Sequence, residues 1–337
     1  MSIGAGMMRI PLLAGSPGAA LALVLACAAC SAGAQDFPVT VEHSFGTTTI
    51  AQRPVRVATV AWANHEVPLA LGIVPVGFAR ANFGDDDGDG VLPWVAERLD
   101  ELGAEVPTLF DEGDGIDFEA VAATRPDIIL AGYSGLTRSD YEILSRIAPV
   151  IPHRDGPWST AWREVIRLNA AGLGMEAEGA ALVGRIEARI DEAAAAHPDI
   201  AGKTAMFVTH LEARDLSVIR FYSANDTRSR FLNDLGLDMP RSVLEASAPG
   251  SYSGEISAER IDAFADVDMV ITYGNEGLLD RVSDNPLTSR MPAVANGAVV
   301  LLGNDPAGTA ANPTPLSIEW VLEDYVDRLA DAARKSE

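Results

Sequence analysis

The sequence predicts an α/β fold built as two similar lobes with mostly parallel sheets, joined by one long helix. Short apolar runs alternate with helical segments along the chain, the pattern of strands paired in parallel. A compound motif also occurs twice, first as "GIDFEAVAATRPDIILAGYSG" and later as "GEISAERIDAFADVDMVITYGN". Both copies run turn, short helix, acidic residue, apolar strand, tyrosine. Glu119 and Glu259 take matching places 140 positions apart, Asp127 and Asp268 open the strands, and Tyr133 and Tyr273 close them. Copies so far apart mark two lobes rather than a solenoid, whose period is far shorter.

The first segment reads as a leader. Arg9 precedes an apolar stretch from Leu21 to Ala29, and Ala32-Gly33-Ala34 forms an A-x-A cleavage pattern. Residues 1–34 are therefore expected to be a signal peptide, too short and alanine-rich in its apolar part for a membrane span. Val24-Leu25-Ala26-Cys27 is also an imperfect lipobox, which offers Cys27 as an alternative lipid anchor. Either route exports the chain, as a periplasmic protein or as a lipoprotein of the cell membrane. Cys27 and Cys30 are its two cysteines, so cleavage after Ala34 leaves none to form a disulfide.

After the leader, "VTVEHSFGTTTI" alternates and turns at Gly46, a short hairpin. "RPVRVATVAW" is β-rich, "NHEVPLALG" gives a helix closed by Gly72, and "IVPVGFA" gives another strand. Between the two motif copies, Glu176 to Ala196 is rich in Ala, Glu and Arg, with Leu182, Ile186 and Ile190 on one face. Pro198 and Gly202 end it. At ~1.5 Å per residue such a helix spans about 30 Å, enough to bridge two lobes stiffly and favour a small closing motion. The expected divisions are an N-terminal lobe over 35–172, the linking helix within 173–200 and a C-terminal lobe over 201–337.

At 337 residues, 48% hydrophobic and 22% charged, the chain has globular composition and room for two cores. Its net charge of −23 leaves no basic face for phosphate and repels anionic lipid. Such a surface offers carboxylates to a basic partner.

The strings "FPVTVEHSFGTTTI", "RPVRVATVAWANHEVPLALGIVPVG", "GIDFEAVAATRPDIILAGYSGLT", "LSRIAPVI", "RFLNDLG" and "NPLTSRMPAVANGAVVLL" run from Phe37 towards Tyr325. In this order and spacing the chain resembles the class III periplasmic binding proteins of ferric-siderophore, haem and vitamin B12 importers, and most the ferric-siderophore branch. The resemblance implies two Rossmann-like lobes with a shallow cleft between them, and an Fe(III)-siderophore chelate as ligand rather than a cofactor. It implies an ABC permease with nucleotide-binding subunits as partner, and a binding protein acting as a monomer. It also gives Glu119 and Glu259 the role of docking into arginine pockets on the permease. Exposed carboxylates at matching places in both lobes suit that steering role.

Open α/β sheets bind ligands beyond the C-terminal ends of their strands. That points to Trp62, Arg80, Tyr133 and Ser134 in the first lobe. In the second it points to Tyr222, Arg228, Tyr252, Tyr273 and the loop Asn304 to Asn312. Aromatic walls suit a greasy, partly planar chelate, and arginine suits an anionic one. By resemblance, Tyr133 and Tyr252 fall where hydroxamate-binding relatives place cleft aromatics. Where family members often carry tryptophans, "GNDPAGTAANPT" has small residues, which implies a wider or reshaped pocket. Arg230 is expected to face solvent or pair with Asp234 four residues on.

Other chemistries find less support. "DDDGDG" sets Asp85, Asp87 and Asp89 like the start of a calcium loop, but position twelve is Ala96, so a solvated acidic loop is expected. His43, His65, His153, His197 and His210 are scattered, giving no metal site, although His65 follows Trp62 closely enough to touch a ligand. A haem or cobalamin carrier shares every other feature, with Tyr133 available as an axial ligand. A secreted α/β enzyme is the remaining alternative, but G-x-S-x-G, G-x-G-x-x-G, P-loop and H-E-x-x-H motifs are all missing.

Overall fold

The computed structural model describes residues 36–209 and 216–336, so the leader, Cys27 and His210 lie outside the described residues. The chain opens with the expected hairpin, strands β1 (Val39–His43) and β2 (Gly46–Ile50), antiparallel in register. Five short strands follow: β3 (Val57–Thr59), β4 (Gly77–Ala79), β5 (Thr108–Phe110), β6 (Ile128–Ala131) and β7 (Val150–Pro152). They form one parallel sheet in the order β5-β4-β3-β6-β7. The reversal of strand order beside β3 leaves a crevice at the C-terminal edge, where such folds hold ligands.

The second half repeats the plan with β8 (Ala205–Val208), β9 (Val218–Tyr222), β10 (Ser253–Ser257), β11 (Met269–Tyr273) and β12 (Val299–Leu302). Their order is β10-β9-β8-β11-β12. Parallel pairing holds for β8, β11 and β12, but β9 runs antiparallel to both its neighbours. This sheet is therefore mixed rather than mostly parallel. The link from Val208 to Val218 is too short for a helical crossover, which takes a dozen residues or more.

The duplicated motif has a structural meaning. β6 and β11 are the fourth strands of their sheets. Asp127 accepts from the backbone N–H groups of Val55 and Arg56, and Asp268 accepts from the N–H and hydroxyl of Thr204. Each aspartate thereby ties the entrance of its strand to the entrance of the strand beside it.

Between the halves runs the helix Glu176–Ala196, whose buried side includes Leu182, Ile186 and Ile190, as its spacing predicts. It packs against the helices Trp162–Leu173 and Ser317–Lys335. Apolar side chains from both halves, among them Phe78 and Trp162 with Phe207 and Tyr325, join one continuous core. None of the described helices is long and apolar enough to cross a membrane.

Candidate functional site

A cavity of about 590 Å³ opens between the two sheets. Its wall comes from the segment after each strand of the first sheet: Trp62 after β3, Arg80 after β4, Glu112 after β5, Tyr133 after β6 and Trp158 after β7. The second half contributes Tyr222 at the end of β9, Tyr273 at the end of β11, Arg228, Tyr252, Thr309 and Asn312. Seven of the eight side chains singled out from sequence thus share one cavity. The eighth, Ser134, does not line it. The turn after β6 directs its hydroxyl back to the Ala131 carbonyl at 2.8 Å, and its own carbonyl accepts from the Trp158 N–H. Ser134 is fully buried and holds the loop that presents Trp158.

Trp62 stands between two alanines in the left-handed region, Ala61 at φ 60° and Ala63 at φ 59°. Such geometry costs ~1–2 kcal/mol per residue and persists only where surrounding bonds impose it. Asn64 supplies several of them. Fully buried, it donates to the carbonyls of Val60 (2.8 Å), Trp62 (3.3 Å) and Tyr133 (2.8 Å) and accepts from the Tyr133 N–H (3.0 Å). Glu112 adds another, accepting from the Ala61 N–H at 2.9 Å. Two cavity aromatics on different loops are therefore set by one asparagine.

Opposite them lies a buried ion pair. Arg228 donates to both oxygens of Asp226 at 3.1 and 3.0 Å, while Asp226 caps the helix Thr227–Asp234 by accepting from the Arg228 N–H. The guanidinium sits 4.1 Å from the centre of the Tyr222 ring. Burial pulls its pKa down, but Asp226 and the facing tyrosines outweigh that and hold it well above the ordinary arginine value. Burial lifts the pKa of Asp226 while Arg228 opposes it. Burial likewise pushes the Tyr222 hydroxyl up to about 12, and those of Tyr133 and Tyr273 upward, so all three stay neutral donors. Tyr273 meets Phe83 edge-on from across the cavity at 5.5 Å, and Tyr133 meets Trp158 at 5.3 Å. Tyr252, 41% exposed, stands at the rim.

Several polar atoms of this wall are buried without a hydrogen-bond partner: Arg228 Nε, Thr309 Oγ1, Asn312 Oδ1, Glu112 Oε1 and His65 Nδ1. Unpaired buried polar groups are rare in folded proteins, and their gathering around one cavity points to a ligand that pairs some of them. His65 stacks on Phe78 at 4.3 Å, and burial brings its pKa down to about 3, so it is uncharged. Nearby, Glu66 of the helix Glu66–Ala70 accepts from the indole of Trp94, the hydroxyl of Thr314 and the N–H of Leu316. It joins the first half to the segment leading into the last helix.

The small residues of "GNDPAGTAANPT" have a packing reason. Asn304 accepts from the Gly84 N–H at 2.9 Å, and a Cβ on Gly84, whose φ is +75°, would lie 1.8 Å from the Thr309 hydroxyl. A Cβ on Gly308 would lie 2.1 Å from the Gly303 carbonyl. Larger side chains at these glycines would force the loop open.

Arg230 neither faces open solvent nor pairs with Asp234. It is half-buried and donates to the Ala224 carbonyl, while Asp234 receives the Trp162 indole at 2.9 Å and Arg163 at 2.7 Å. Asp85, Asp87 and Asp89 bring carboxylate oxygens within 4.8 Å of one another, and all three accept backbone N–H groups of their own loop. Glu119 and Glu259 are exposed, each in the first turn of a short helix leading to the fourth strand of its sheet. Asp117 and Ser257 cap those helices.

Sequence reasoning missed Glu112 and Asp226 as wall residues. Asp226 had a signal, since Asp-Thr-Arg after a strand is a helix start. Glu112 had none, because its inward turn depends on the bond to Ala61.

Comparison with known proteins matches this arrangement. The crystal structure of Streptococcus pneumoniae TIGR4 PiaA in complex with ferrichrome superposes with a TM-score of 0.86 at 43% identity, covering 89% of this chain and all of that one. The ferric-anguibactin-binding protein FatB of Vibrio anguillarum is 25% identical over 302 residues, 86% of this chain and 87% of its own. The probable siderophore-binding lipoprotein YfiY of Bacillus subtilis is 24% identical over 248 residues, 73% and 71% of the two chains. The sequence pattern of the periplasmic binding protein family matches residues 57–306. With the pattern spanning both sheets and the cavity between them, the chain belongs to the periplasmic binding protein family.

Proposed function

We propose that this chain is the exported substrate-binding component of an ABC importer, taking up a ferric-siderophore chelate in the cavity between its lobes. One observation carries this reading. Segments from the C-terminal edges of both sheets meet around a cavity walled by aromatics, and a buried guanidinium waits there with its Nε unpaired. That is a site for a large, partly apolar ligand with oxygen acceptors. The likeness to PiaA and FatB supports it over haem or cobalamin, and nothing in this family reading calls for catalysis.

Trp62, Arg80, Tyr133, Tyr222, Arg228, Tyr252 and Tyr273 contact the ligand, together with Trp158 and Asn312, which line the same cavity, while Ser134 acts behind the wall. The lobes extend over 35–172 and 201–337, with the helix of 173–200 between them, and close slightly on the chelate. Glu119 and Glu259 then seat the loaded monomer on its permease, whose nucleotide-binding subunits drive release. Export follows from the leader, with the protein either free in the periplasm or anchored through Cys27.

Titration of the mature domain, residues 35–337, with ferric siderophores, haem and cyanocobalamin tests this by tryptophan fluorescence backed by calorimetry. Saturable submicromolar binding of a ferric siderophore is the expected result. Binding of haem or cobalamin alone moves the protein to another branch of the same transport class, and no binding at all removes the proposal.

A further inference from the structure

The helix Thr227–Asp234 of the second half has one end on the cavity and the other against the first half. Arg228, in its first turn, stands on the cavity wall. Asp234 is its last residue. There one carboxylate oxygen receives two groups from the helix Trp162–Leu173, the Trp162 indole at 2.9 Å and Arg163 Nη1 at 2.7 Å. Arg163 also donates through Nε to Glu187 of the helix Glu176–Ala196 at 2.6 Å, and its guanidinium lies 4.3 Å from the centre of the Trp162 ring. One planar guanidinium thereby ties three elements together: a helix of the first half, the linking helix and a helix of the second half.

The carboxylate at Asp234 gains nothing from its own helix. A negative charge in the last turn opposes the helix dipole, and a basic residue would serve that helix better. Its stabilising partners lie instead some seventy residues back, Trp162 being 2% exposed and the Arg163 side chain 27% exposed. Arg228 and Asp234 are six residues apart, a rigid span of about 9 Å. On the other side, Trp158 precedes Trp162 by four residues, and its ring packs edge-on against Tyr133 in the same wall. The bonds at Asp234 thus set the helix bearing Arg228 against the segment bearing Trp158, and separation of the halves along this line stretches them. Polar ties elsewhere between the halves, from Glu66 to Thr314 and Leu316 and from Gly84 to Asn304, do not involve this helix.

We infer that Asp234 is a positioning residue for the cavity: through Trp162 and Arg163 it clasps the two lobes together and holds the Arg228 and Trp158 walls at binding distance before the ligand arrives. It touches no ligand itself. Without the clasp the lobes sample more open arrangements, and apparent affinity falls in proportion to the population that remains competent. A clasp that leaves about a tenth of the molecules competent lowers affinity about tenfold. The affinity part of this inference rests on the ferric-chelate reading above; the clasp itself does not.

The test measures both parts. Nitroxide labels at Val106→Cys and Leu244→Cys, exposed sites on opposite halves of a chain whose two cysteines lie in the leader, report inter-lobe distances by double electron–electron resonance. Ligand-free wild type is expected to give a narrow distribution and Asp234→Ala a broader one, which saturating ligand narrows again. Unlabelled protein is titrated calorimetrically with ferrichrome, ferric enterobactin and ferric citrate in turn, and the chelate that binds wild type is expected to bind Asp234→Ala about tenfold more weakly. Asp234→Asn, which keeps an oxygen for the Trp162 indole but loses the charge facing Arg163, is expected to fall between the two and decides the matter should the alanine variant not fold. Wild-type distances in the ligand-free variant, or wild-type affinity, overturn the inference. If none of the three chelates binds wild type, the ferric-chelate reading loses its support and the ligand-free distances alone decide the clasp.

Discussion

Glu112 couples the stability of the cavity wall to pH. Burial raises its pKa from 4.5 to about 7; the Ala61 N–H works against this and the charge of Asp117 adds to it. The sign follows from which state holds the proton. Below pH 4.5 both folded and unfolded chains are protonated at this carboxyl, and its contribution to stability is complete. Between 4.5 and about 7 the unfolded chain has released the proton and the folded one still binds it, so stability falls as pH rises. At ~1.4 kcal/mol per pH unit the whole displacement amounts to about 3 kcal/mol, an upper figure for a side chain not fully enclosed. Glu112→Gln removes the titration and keeps an oxygen for the Ala61 N–H. Urea unfolding of both proteins, followed by circular dichroism from pH 4 to pH 8, should show the variant gaining on wild type by about 3 kcal/mol across that range. A stability difference constant with pH would refute the reasoning, since it would mean that the folded carboxyl ionises like a solvated one.

Glu66→Ala would leave the Trp94 indole, the Thr314 hydroxyl and the Leu316 N–H without their acceptor, at ~1–3 kcal/mol each. Thermal unfolding should show a loss of several kcal/mol, with Glu66→Gln milder. Gly135→Ala would bring a Cβ within 2.5 Å of the Trp158 indole nitrogen, displacing that ring. Fluorescence titration should then show affinity for the ferric ligand reduced about tenfold, or ~1.4 kcal/mol. Glu119→Ala combined with Glu259→Ala is expected to abolish transport while leaving ligand affinity at its wild-type value, and normal uptake by the double variant would dismiss the docking role.

The parts of this structure that were legible in the sequence are those governed by local pattern. The helix Glu176–Ala196 declared itself through the spacing of Leu182, Ile186 and Ile190, and the two motif copies through Asp127 and Asp268. Strand ends located Tyr133, Tyr222 and Tyr273 because side chains there have one edge of the sheet to face. What escaped depends on partners distant in the chain. Spacing offered Asp234 to Arg230, yet Arg163 and Trp162, some seventy residues away, occupy it. Ser134 was correctly placed after a strand, but a turn decides which way its hydroxyl points. The antiparallel course of β9 turns on the length of a connection, not on the apolar content of the strand.

The bond between Glu66 and residues 314–316 bears on the order in which this protein becomes itself. Trp94 is at hand early, but the other two partners of this carboxyl come almost 250 residues later, directly before the helix Ser317–Lys335. The Thr314 and Leu316 bonds to this carboxyl can therefore form only once the last tenth of the chain is in place. That dependence makes the C-terminal region a poor place to trim, because a deletion there would uncover a carboxyl deep inside the opposite lobe.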